Sequence, residues 1–194
     1  MIEIFNRYTN ALLYRSDSSA SIKEAVESAA ADGASLVRAR LDGARLVGAS
    51  LVRARLDGAR LDGARLVGAR LDGARLDGAR LDGASLVRAS LVGASLVGAS
   101  LDGARLDGAR LDGASLPDGM FIMQIMASCG YLVALSTPEG LEVRSGCQHH
   151  LYEWWIDNGK QLGRDEGYSD GQIAEYDRHF AYIAEWHKIV RGTA

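Results

Sequence analysis

Ala39-Arg40-Leu41-Asp42-Gly43, Ala44-Arg45-Leu46-Val47-Gly48 and Ala49-Ser50-Leu51-Val52-Arg53 are three consecutive forms of one five-residue word. The word reads Ala, then Arg or Ser, then Leu, then Asp or Val, then Gly or Arg, and it continues from about residue 34 to Leu116. Its leucines fall at Leu36, Leu41, Leu46, Leu51, Leu56, Leu61, Leu66, Leu71, Leu76 and Leu81, and onward without a missed beat. A spacing of five fits neither common element. Five residues of helix advance about 500°, which scatters the leucines around the cylinder. A flat strand alternates faces with period two, so odd spacing sends successive leucines to opposite sides. All of them converge on one core only if the backbone turns a corner in every word. The chain is therefore expected to coil as short extended segments joined by tight bends. The small alanines at position one point inward too, leaving room for the leucines.

The word resembles the consensus of the pentapeptide repeat family: a small residue, a polar residue, a central Leu or Phe, then two variable outward positions. The likeness covers nearly half the chain, and sixteen full words lie between residues 34 and 113. It implies a mainly β fold, a right-handed quadrilateral β-solenoid with four words per turn, hence about four coils. Residues twenty apart would then stack, about 4.8 Å from coil to coil, giving a repeat region roughly 20 Å long. Leu36, Leu56 and Leu76 would form one ladder and Leu41, Leu61 and Leu81 the next. Position two departs from the family, which favours Asp or Asn there. In addition, Ser145-Gly146-Cys147-Gln148-His149-His150, followed by Glu153-Trp154, is similar to the Gly-Cys-Gln…Glu-Trp tail of pentapeptide proteins of bacteriophages and prophages. The vocabulary of the words is narrow. Recent duplication and deliberate assembly from a few modules both account for it.

Three segments are expected: residues 1–33, an N-terminal hairpin and capping helix; residues 34–116, the solenoid; and residues 117–194, a small α+β C-terminal domain packed on the last coil. Near the start, Ile2–Phe5 and residues 11–14 read as short strands. Ile22, Ala25, Val26, Ala29 and Ala30 mark one helix face, ended by Asp32-Gly33. Such a lid is physically required, because an open coil end exposes unpaired strand edges and leucines. After Leu116, residues 120–127, 131–135 and 141–144 read as strands, and residues 151–156 open a short helix. Gly159, Gly163 and Gly167 are expected to form a loose connection. Ser169 with Gln172 makes a capping box. It starts an amphipathic helix through Ile173, Tyr176, Phe180 and Ile183 that ends near Gly192.

Position five has a mechanical role. A type II corner needs a positive φ, which Gly adopts without strain. Arg38, Arg53 and Arg88 stand in place of that Gly, and a different bend is expected at those three corners. Positions two and four flank the leucine and point outward. Arg40 beside Asp42 and Arg60 beside Asp62 therefore begin a lattice of alternating charge, whose exposed pairs contribute about 0–1 kcal/mol each. Stability must come from leucine burial, at about 1.5–3 kcal/mol per side chain.

Composition narrows the function. The chain has 194 residues and a net charge of −3, which gives no strong pull toward nucleic acid or an anionic membrane. No apolar stretch is long enough for a membrane helix. The start lacks the basic region of a secretory signal, so a cytoplasmic location is expected, the host cytosol if the chain is phage-encoded. Cys129 and Cys147 then read as reduced thiols. Cys147, His149 and His150 are the weak metal candidates. They lack the paired spacing of a structural zinc module, so no metal is expected. No phosphate loop and no nucleophile with an orienting partner is marked, so neither a cofactor nor catalysis is expected.

The reading is a non-enzymatic rigid scaffold or protein-interaction module with an unidentified protein partner. The resemblance implies self-association as a homo-oligomer. The alternative it also implies is a DNA mimic that binds DNA gyrase or topoisomerase. The repeats, however, carry thirteen arginines against nine aspartates, the wrong sign for an imitation of DNA. Val47, Val67 and Val87, twenty apart, form an outward valine ladder. It reads either as an ordinary β surface or as an interface.

Overall fold

A computed structural model describes residues 1–117, 120–128, 130–137, 140–145 and 148–192. The chain divides into two compact units, Met1–Asp118 and Gly119–Ala194.

The first unit opens with β1 (Ile2–Phe5) and β2 (Leu12–Ser16), an antiparallel hairpin. Helix α1 (Ile22–Ala31) follows. Ser21 caps it by accepting from the Glu24 amide at 3.2 Å, while the Glu24 carboxylate accepts from the Ala20 amide at 2.8 Å, which satisfies amides a helix start leaves open. Ala25, Val26 and Ala29 are its buried face. The hairpin meets the repeats edge to edge. Asn6 bridges Ala39 antiparallel, the Arg40 amide donates to the Phe5 carbonyl at 2.9 Å, and Arg7 donates to Arg38 at 2.8 Å. The first repeats thus do not end in an unpaired edge.

The repeats themselves form a β-solenoid-like stack in which each bridge is parallel and joins residues twenty apart. Arg40 pairs with Arg60, Arg60 with Arg80, and Arg80 with Ser100. Within one word the backbone bonds account for the geometry. Leu61 donates to the Arg80 carbonyl at 2.7 Å, Gly63 to Asp82 at 2.8 Å, and Arg60 back to Ala39 at 2.9 Å, while Ala64 closes the corner on Leu61 at 2.9 Å. The leucines from Leu36 to Leu106 are at most 5% exposed, and the alanines between them at most 8%. Leu111 and Leu116, at the end of the run, are half-buried.

Corner glycines hold φ between 62° and 67° throughout the repeats. Arg38, Arg53 and Arg88 take the same conformation, at φ 59°, 57° and 56°. The expectation of a different bend is therefore wrong. The reason lies in the inter-coil bond. The Arg38, Arg53 and Arg88 amides donate to Asp57, Asp72 and Asp107 at 2.8, 2.9 and 2.8 Å, just as a corner glycine does. A different bend would orphan that amide at about 1–3 kcal/mol, against about 1–2 kcal/mol for a side chain in the left-handed region.

The second unit is a four-stranded antiparallel sheet in the order β3 (Phe121–Ala127), β4 (Gly130–Thr137), β5 (Gly140–Ser145) and β6 (Gln148–Leu151). Two helices cover it, α2 (Tyr152–Asp165) and α3 (Asp170–Arg191). Leu132, Ala134, Leu141 and Val143 pack from the sheet against Trp155, Tyr176, Phe180 and Ile183 from the helices. The Trp155 indole donates to the Val143 carbonyl at 2.7 Å, so the largest side chain of this core leaves no buried donor unmet. The Ser169–Gln172 capping box starts α3, and Gly192 ends it in the left-handed region.

Two readings of this unit need correction. Strand β6 is not among the expected strands; the sequence around it shows only the tail motif. Gly159 and Gly163 belong to α2, which runs on to Asp165, and are not a loose connection; only Gly167 stands outside a helix. Packing keeps them helical. A Cβ on Gly163 would sit 3.3 Å from Ile173 and 3.5 Å from Tyr168, and one on Gly159 would meet Trp155 at 3.4 Å and Phe180 at 3.9 Å. The missing side chains let α3 and its lead-in approach.

Candidate interaction surface of the repeats

The twenty-residue register sorts the words into four stacked sets. Within three sets, outward arginines face aspartates. Arg60 reaches Asp42, eighteen residues earlier, at 2.8 Å and its own Asp62 at 3.7 Å. Arg75 reaches Asp57 at 3.1 Å, and Arg80 reaches Asp62 at 3.2 Å and Asp82 at 3.1 Å. Those two carboxylates raise the Arg80 guanidinium above its ordinary value, the Asp82 hydrogen bond first and the Asp62 charge second. Position two thus reaches position four of the preceding coil as well as its own, the former closer for Arg60 and the two nearly equal for Arg80. Where Ser replaces Arg the same diagonal persists: the hydroxyls of Ser90, Ser95 and Ser100 donate to Asp72, Asp77 and Asp82. The arginines are 41–69% exposed, so each pair contributes about 0–1 kcal/mol and serves register and solubility.

The set of Leu46, Leu66, Leu86 and Leu106 is different. Its position four holds Val47, Val67 and Val87 before Asp107 ends the series. Val47 is 43% exposed, and Val67 and Val87 are half-buried. Val97, in another set, is 44% exposed but has Asp77 before it in its column, not another valine.

Of the tail residues, Cys129 and Cys147 lie outside the described residues, as does the His149 side chain. His150 stacks on Trp154 with ring centres 3.5 Å apart and meets Trp155 edge-on at 5.8 Å. Its Nε2 lies 3.3 Å from the Gln148 side-chain oxygen. Among the described residues no three His, Cys, Asp or Glu side chains come together in a way that could hold a metal ion. Among the described residues no helix is long and apolar enough to cross a membrane.

Two polar links were not legible in the sequence. His187 Nδ1 lies 2.9 Å from the hydroxyl of Ser136, a side chain wholly buried in β4. Burial, and then the charge of Arg191, hold this imidazole below its ordinary value, with Glu153 opposing. Glu175 accepts from both the amide and the hydroxyl of Ser128, and these bonds lower its carboxyl below the usual range. The partners are 51 and 47 residues apart, and no local pattern joins them.

The family model described as pentapeptide repeats matches eight copies, over residues 34–73 and 79–117. No curated protein matches the chain. Among solved structures, the pentapeptide repeat protein Rfr23 from the cyanobacterium Cyanothece is 37% identical over 42% of this chain and 54% of its own, with a TM-score of 0.41. HetL, a pentapeptide repeat protein described as involved in heterocyst differentiation regulation in the cyanobacterium Nostoc, is 43% identical over 41% of this chain and 39% of its own, with a TM-score of 0.28. A thylakoid-lumen pentapeptide repeat protein from Arabidopsis thaliana is 28% identical over 41% of this chain and 66% of its own, with a TM-score of 0.22. The chain thus spans 54% and 39% of the lengths of the first two.

Proposed function

We propose that this chain is a member of the pentapeptide repeat family, whose model matches residues 34–73 and 79–117, and that it is a non-enzymatic rigid scaffold that presents an interaction face to a protein partner. Proteins of this family are generally structural or interaction modules. The proposal takes the stack as a right-handed quadrilateral solenoid of about four coils, with Val47, Val67 and Val87 as the interface. The Gly-Cys-Gln…Glu-Trp tail supports a phage-related source and, with it, action in a host cytosol.

One observation carries the reading. Side-chain variety in the repeats is confined to outward positions, over a core whose leucines are buried from Leu36 to Leu106. Such a surface is free to vary without cost to the fold. The gyrase-directed alternative draws no support from the charge of the repeats, with thirteen arginines against nine aspartates.

The test separates surface from core. Val47→Thr/Val67→Thr/Val87→Thr is expected to shift the unfolding midpoint less than Leu66→Ala alone, which removes a wholly buried side chain at about 2–5 kcal/mol. A triple variant that unfolds would refute the scaffold reading. In a supercoiling assay the protein is expected neither to inhibit gyrase nor to protect it from a quinolone; either effect would restore the alternative.

A further inference from the structure

We propose that the valine-bearing face binds an acidic amphipathic helix of a partner protein, a claim that rests on the scaffold reading and gives the partner its chemistry. The excess positive charge of the repeats is not evenly spread. The set of Leu46, Leu66, Leu86 and Leu106 carries four arginines, Arg45, Arg65, Arg88 and Arg105, against the single aspartate Asp107. The set of Leu41, Leu61, Leu81 and Leu101 carries three arginines against four aspartates, and each of the other two sets carries three against two. Arg105 pairs with Asp107 at 3.4 Å. No carboxylate pairs with Arg45, Arg65 or Arg88 among the described residues, although Arg45 and Arg65 stand bridged in one column.

These groups frame the valines. Arg45 and Arg65 run along one side of Val47 and Val67, two residues before them in each word. On the other side, at the corner column, stand Arg88 and, over Gly48, the ammonium of Lys23, 3.9 Å from where a Cβ would lie on that glycine. The result is an apolar strip with cations on both edges. In the other three sets position four holds eight aspartates and four valines, Val37, Val52, Val92 and Val97, and no two of those valines are neighbours in a column; here three valines follow one another, and neither Arg45 nor Arg65 has an aspartate in its own word.

The dimensions select the occupant. Three valines at strand spacing span about 9.6 Å, and two turns of helix span about 10.8 Å. One apolar side chain per turn then meets one valine, with carboxylates on either flank of that stripe meeting the arginines. A phosphate backbone fits less well. It would use the three free guanidinium groups and leave the valines uncovered, whereas nucleic-acid binders neutralise on the order of 6–10 phosphates. A second copy placed face to face would set arginine on arginine.

The experiment is fluorescence anisotropy of the full chain with a labelled, helix-stapled peptide of leucine and glutamate at helical spacing. Its lysine twin and a labelled DNA duplex serve as competing probes. The variant is Arg45→Ser/Arg65→Ser/Arg88→Gly, whose new residues already occupy equivalent positions at Ser85 and Gly68. The acidic peptide is expected to bind, more weakly at high salt, and about tenfold more weakly to the variant. The lysine twin is expected not to bind. Three results would overturn the proposal: equal binding of both peptides, an undiminished variant, or tighter binding of the duplex. Sedimentation of the chain alone adds a fourth, because self-association abolished by the same variant would make a second copy the occupant. If the valine variant described above stays folded while peptide binding fails, the scaffold reading stands and this inference falls.

Discussion

Arg53 occupies a corner conformation that nearly every other word gives to glycine, at φ 57° against 62–67°. Replacing it should therefore help. Arg53→Gly is expected to raise stability by about 1 kcal/mol, since the left-handed cost of a side chain disappears while the bond to Asp72 is kept. The reciprocal Gly63→Arg, at φ 64° with nothing within 4 Å of a built Cβ, should cost about the same. Equilibrium urea unfolding reads both, and a stability loss in Arg53→Gly would contradict the corner account. At this scale the sequence shows what position five must do, because the recurrent Gly states it. It does not show that arginine complies, because the deciding bond runs to a residue nineteen positions away. A separation of eighteen hides the diagonal from Arg60 to Asp42 and its replacement by serine at Ser100.

The helices of the second unit depend on contacts that the chain order conceals. The glycines of α2 look like breaks when read locally, and the approach of Ile173 and Tyr168 explains Gly163. Enlarging that contact should hurt: Gly163→Val places branched bulk where even a single carbon lies 3.3 Å from Ile173, and overpacking of this kind costs about 1–3 kcal/mol. The link between His187 and Ser136 gives this unit a pH response. Its imidazole is held below the ordinary value in the folded unit, so the unfolded chain takes up the proton first as pH falls. The stabilisation is present above about pH 6.5 and is lost as pH drops through the folded value. Thermal midpoints followed by tryptophan fluorescence should fall between pH 7.5 and 5.5, and fall less in His187→Gln, which keeps a hydrogen-bonding group but cannot titrate. An equal fall in both would remove His187 from the explanation. The capping box at Ser169 and the buried face of α3 are visible in sequence because both are local patterns; β6 is not, because its pairing with β5 needs the sheet to exist first.

At the scale of the whole molecule, one rule organises the repeats: residues twenty apart stack, and each word contributes one leucine and one alanine to the shared core. Removal of residues 61–80 deletes four words and rejoins Arg60 to Leu81 in phase. That chain is expected to unfold cooperatively at a lower midpoint, whereas loss of cooperative unfolding would speak against interchangeable coils. The period of five and its inward leucines are legible in any three words. The number of words per turn is not contained in the spacing, since any closed number would bring leucines inward, and the candidate interface depends on that number to align Val47 with Val67 and Val87. The most direct measurement is therefore of the bonds between coils, through scalar couplings across hydrogen bonds in an isotope-labelled sample. The account predicts coupling from the Leu61 amide to the Arg80 carbonyl and from Gly63 to Asp82, the pairs at 2.7 and 2.8 Å. Coupling of either amide to the residue four places before it, or free exchange of the Leu61 amide with solvent, would contradict it.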